Sequence, residues 1–106
     1  MSVGDYAWEK FYLAVLGMAA SKVAPWERLK NAYVYHLMHA EHNGLPEDIQ
    51  EDFAALSKAM RSAVQFGDEG QAAASARAMD ELEVLRLIES IVSMYDRVAK
   101  YGPHGT

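Results

Sequence analysis

Trp8, Phe11, Tyr12, Val15, Met18 and Ala19 return at steps of three and four. The same helical period recurs in three further segments, and it limits the open folds more than any other feature of this chain. The first segment predicts a helix over about 5–21, with Asp5 placed to accept the free amides of the first turn. Leu13 and Leu16 extend its apolar surface beyond one stripe, as in a helix central to a bundle or shared with a second subunit.

The break SKVAP leads to a second helix over about 25–42. Pro25 fits its first turn, where the missing N–H costs nothing. Trp26, Leu29, Tyr33, Leu37 and Ala40 form the inward stripe, and Asn43-Gly44 supplies the stop. A third helix is predicted from Pro46 to near Phe66. Glu47 and Asp48 sit where the helix dipole favours negative charge, and Leu45, Ile49, Phe53, Leu56, Met60 and Ala63 mark one face. GDEG, residues 67–70, reads as a loop. The alanine-rich run over 71–78 reads as a short helix or turn. Asp80 with Glu83 has the spacing of a capping box, and Met79 with Val84 that of a hydrophobic staple. They open a last helix over about 80–101, with Val84, Leu85, Ile88, Ile91, Val92, Tyr95 and Val98 expected inside. Gly102-Pro103 ends it, and the tail 102–106 is expected to be disordered.

No stretch alternates with the period of a strand. The expectation is one all-α domain over 1–106, an antiparallel helical bundle of four main helices plus one short helix. A chain of 106 residues that is 51% apolar can build one core without disulfides or metals.

Composition narrows the function classes. With no cysteine, thiol nucleophiles, thiolate zinc sites and iron–sulfur clusters are excluded. The formal net charge is −5, and the ten Lys and Arg are scattered with no two adjacent. Nucleic acid and anionic membrane surfaces both select clustered basic residues, so neither is an expected partner. MSVGDYAWEK lacks the basic run and apolar core of a signal peptide, and the apolar run over 11–20 is too short to span a bilayer. The expected location is the cytoplasm.

NAYVYHLMHAEH, residues 31–42, is the one stretch that invites a metal reading. It carries His36, His39 and His42. A spacing of three turns each imidazole about 60° back around the helix, so the three fan over about 120° and one ion cannot collect them. His36 and His39 remain as a candidate metal or small-ligand pair, if another helix supplies a carboxylate. There is no HExxH, and Tyr33, His36 and His39 stand where ExxH needs glutamate. The simpler reading makes His36 a half-buried residue hydrogen-bonded to a neighbouring helix and leaves His39 and His42 solvated. No G-x-S-x-G surrounds any serine, and Asp68 and Glu69 would repel a phosphate at GDEG. Glu81 is expected on the inward side, held by first-turn amides. No catalytic residue and no cofactor are therefore assigned.

What remains is surface. Tyr35 and Met38 on the second helix, and Leu13 and Leu16 on the first, project off the inward stripes. Apolar side chains on outward arcs mark an interface. They favour a non-enzymatic protein working through protein–protein contacts, as a homodimer on a two-fold axis. NAYVYHL (31–37), LPED (45–48), GDEG (67–70) and SMYDRVAK (93–100) resemble a small bacterial all-helical family with no assigned activity. The resemblance implies a small stand-alone bacterial protein and carries over no site residue.

Overall fold

A computed structural model describes residues 3–40, 44–64 and 70–101. Every regular element among them is helical, so the protein is all-α. Helix α1 spans Val3–Ala20, α2 spans Pro25–Ala32, α4 spans Glu47–Ala59, α5 spans Gln71–Ala78 and α6 spans Glu81–Val98. Between α2 and α4 lie a π-helical turn, Tyr33–Leu37, and the short α3, Met38–Ala40. A 3₁₀ turn, Ala99–Tyr101, closes α6. No described helix is long and apolar enough to cross a membrane.

The helix starts follow local chemistry. Ala24 is extended, at φ −60 and ψ 153, which suits the residue before Pro25, and its carbonyl accepts from the amides of Glu27 and Arg28 at 3.0 Å each. Arg28 Nε donates back to Val23 O at 2.8 Å and pins the connection to the helix it opens. Pro46 plays the same part before α4, accepting from Ile49 N at 3.1 Å. At α6, Asp80 Oδ1 accepts from Glu83 N at 2.8 Å, as the capping spacing predicts. Gly44 takes φ 78, the left-handed conformation expected of a stop signal there.

Two predicted boundaries differ. The second helix does not run regularly over 25–42, because the π turn interrupts it. Leu29 and Leu37 are both fully buried. Eight regular steps would leave Leu37 about 80° round from Leu29. An i→i+5 turn rotates less per residue and removes part of that drift. The third helix ends at Ala59, not near Phe66, because Met60 to Ala63 fold back over α5. There Ser75 Oγ accepts from Ala63 N at 3.0 Å, and Gln71 Nε2 reaches Arg61 O and Ala63 O at 3.2 and 3.3 Å. The alanine run forms a full helix, α5, whose small side chains let it lie against α2 with Ser75 and Ala76 buried. His42, Phe66, most of GDEG and the 102–106 tail lie outside the described residues.

One cluster of buried side chains draws on every long helix. Helix α1 packs against both α2 and α6, and α6 also against α2 and α4. Phe11 of α1 meets Phe53 of α4 edge-on, with ring centroids 6.1 Å apart. Around them stand Leu29, Leu37, Ile49, Leu56, Met60, Ile91, Met94 and Val98, all sealed from water. Tyr33 brings its hydroxyl inside and donates to Ser57 Oγ at 3.4 Å, so that both buried polar groups are matched. The start of α4 is tied to the end of α6 at the surface. Arg97 donates to Asp48 O at 2.6 Å and pairs with the Asp52 carboxylate, while Lys100 Nζ reaches Asp48 at 3.4 Å. The hydrogen bond that it donates to the Asp48 carboxylate raises the Lys100 ammonium above its ordinary pKa. Being exposed, these pairs set register more than stability.

On α6 the inner positions are Val84, Leu87, Ile91, Met94 and Val98. Leu85 and Val92, expected inside, are 41% and 45% exposed, and Glu81, also expected inside, is exposed. The predicted stripe is too wide, and the true one is centred about 60° away around the helix.

Truncating Phe53 to Ala removes the ring that bridges α1 and α4. Chemical denaturation should show a loss of about 3–5 kcal/mol. Asp80→Ala, which removes only the cap, should cost about 1 kcal/mol.

Candidate functional site

Two surfaces stand out from the closed core. The first is a seam where α1 lies on α6. The Tyr12 ring stacks on Trp8, with centroids 5.2 Å apart, and sits 6.5 Å from the Tyr95 ring. One turn further along α1 comes Leu16. One turn back along α6 from Tyr95 comes Val92, followed by Ile88 and Leu85. Tyr12 and Leu16 are 40% and 50% exposed, like Leu85 and Val92 across from them, and Trp8, Ile88 and Tyr95 are half-buried.

The spacing of the α6 residues explains the exposure. Leu85, Ile88, Val92 and Tyr95 repeat at steps of three and four. So do Val84, Leu87, Ile91, Met94 and Val98. The helix thus has two apolar stripes side by side, each with the spacing of a helix–helix contact. One is the core, and the other meets α1 at Tyr95, where the Tyr12 ring approaches it.

The second surface is a cleft of about 200 Å³ between α1 and α2. Ala14, Gly17, Met18 and Ser21 line it from α1 and the residue after it, and Arg28, Asn31, Ala32, Tyr35 and His36 from the facing side. The small Ala14 and Gly17 leave this space unfilled on the α1 side. Tyr35 and His36 both belong to the π turn.

The predicted interface residues divide among these places. Leu16 lies in the seam, whereas Leu13 is half-buried on the side of α1 away from α6. Tyr35 is the most exposed of the four, at 62%, and lines the cleft with Lys30 Nζ 5.9 Å from its ring centroid. Met38 faces a separate apolar hollow, with Tyr33, Val34, Met60 and Ala72. Tyr35 and Met38 therefore do not share one patch. Tyr12, Leu85 and Val92, which the sequence places in the apolar stripes and not at an interface, join the seam, since a wide apolar stripe does not reveal which edge faces water. Asn31 was also passed over. Its Oδ1 is buried without a hydrogen-bond partner among the described residues, and a helical asparagine on an outward arc gives no warning of that.

His36 is half-buried in the cleft, and His39 is exposed outside its lining. Among the described residues no group of three or more His, Asp or Glu is gathered for a metal. Comparison with known protein families, curated sequences and solved structures yields no match for this chain.

Burial, with the charges of Lys10 and His39 adding to it, lowers the His36 imidazole below its ordinary pKa of 6.5. The unfolded chain then holds more protons than the folded one between those two values. This contribution to stability is complete above the ordinary pKa and is lost as pH falls through the folded one. The thermal midpoint should fall more steeply from about pH 7.5 to about pH 5.5 in the wild type than in His36→Gln. Parallel slopes would show that His36 titrates alike in both states.

Proposed function

We propose that this protein works through protein–protein contacts and without catalysis of its own, as a homodimer joined along the α1–α6 seam. The second apolar stripe of α6 carries this reading. A stripe of Leu85, Ile88, Val92 and Tyr95 has the step and the side chains of a packed helix, and α1 covers only one edge of it. In a helix serving a single face, those positions would be polar. A second copy offers the same stripe and the same Tyr12–Leu16 edge, so a two-fold axis along the seam pairs each with its equivalent. The proposed arrangement within each subunit is an antiparallel bundle. The short connection between α1 and α2, and the ties from the start of α4 to the end of α6, support it. The cytoplasm is the proposed location, in keeping with the absence of cysteine.

A small-ligand or metal role for His36 and His39 is the competing reading. The two imidazoles are close enough for His39 to act on the His36 pKa. Elemental analysis of untagged protein separates the two. Metal near one equivalent that is lost in His36→Ala would favour the ligand reading.

Sedimentation equilibrium of the wild type should fit a dimer. Leu16→Glu and Val92→Glu place charge in the seam without touching the core. Each should weaken association about thirtyfold or more while leaving the circular dichroism spectrum intact. A wild type that sediments as a monomer at all concentrations removes the proposal.

A further inference from the structure

Three features of the α1–α2 cleft serve neither the core nor the seam. Asn31 lines it, and its Oδ1 is buried with no hydrogen-bond partner among the described residues. An unmatched buried acceptor costs about 1–3 kcal/mol, so a donor from outside the chain would find a ready partner. Among the described residues the lining holds a permanent cation, Arg28, with Ser21, Tyr35 and His36, and no Asp or Glu, in a chain whose net charge is −5. The π turn, a geometry that recurs at functional sites, supplies both Tyr35 and His36. The cleft is also open at α1. A Cβ added at Gly17 would meet nothing within 4 Å.

We propose that the cleft binds a small organic carboxylate that also carries a hydroxyl group. The carboxylate lies against Arg28, whose guanidinium is held in place by the bond from Nε to Val23 O. The hydroxyl donates to Asn31 Oδ1. The carbon chain rests on Met18, Ala14 and Ala32. The charge balance selects a hydroxyl over an amine, since an ammonium would set a second cation beside Arg28 with no carboxylate in the lining to offset it. An anion without a proton to donate, such as sulfate, leaves Oδ1 unmatched.

The test titrates 3-hydroxybutyrate into the full chain and follows the Asn31 side-chain amide by NMR. Butyrate, butane-1,3-diol and sulfate are the comparison probes. Gly17→Leu fills the cleft from its open side, and Asn31→Leu removes the acceptor. The hydroxy acid should bind the wild type with a millimolar dissociation constant, and each comparison probe about tenfold more weakly or worse. Both variants should lose that binding while retaining helical circular dichroism. No saturable shift below about 10 mM, equal binding of butyrate, or binding that survives Asn31→Leu would each overturn the proposal. Should Gly17→Leu fail to fold, Asn31→Leu decides alone. The cleft lies within one chain, so the result does not depend on whether the seam dimerises.

Discussion

Helix α6 has two apolar stripes, and the described helices bury one. That surplus shapes the rest of the molecule. The inner stripe gathers α1, α2 and α4 around Ile91, Met94 and Val98. Helix α1 must then lie along the edge of α6, where Tyr12 leans on Tyr95. Once it lies there, Leu16, Val92 and Leu85 stay exposed among the described residues. Apolar area at this density normally contributes about 25 cal/mol per Å² when removed from water. Leaving it exposed forgoes that gain, which is why a second copy is the proposed cover.

The far side of α1 obeys a different constraint. Small residues, Ala14 and Gly17, face α2, and the π turn opposite them carries larger polar side chains. The two flanks of α1 are therefore unlike in chemistry, one apolar and one polar with an unmatched carbonyl. The proposed division of labour follows from that asymmetry: association on the α6 side, and a small polar ligand on the α2 side.

Helix existence was legible in the sequence because each segment carries a strong three- and four-residue period, with Pro25, Pro46 and Asp80 at the starts. The core residues Phe11, Leu29, Leu37, Phe53 and Ile91 were legible for the same reason. The π turn was not, because YVYHL has ordinary helix composition and the extra residue is demanded by tertiary packing of Leu29 and Leu37. The end of α4 was hidden too. Met60 and Ala63 keep the apolar period past Ala59, and the turn is fastened by the distant Ser75 and Gln71. On α6, ten apolar residues span so wide an arc that its centre is set only when α1 and α4 dock. Of the four interface candidates, Leu16 alone falls in the seam. Asn31 needed the structure altogether, since its isolation depends on what α1 fails to place opposite it.

The most direct test of the seam is an isotope-filtered NOE experiment on a mixed sample of labelled and unlabelled chains. The account predicts contacts between subunits from the methyl groups of Val92, Leu85 and Leu16 to the Tyr12 ring or to each other. Intermolecular contacts arising elsewhere, or none at all in a sample that sediments as a dimer, would contradict it.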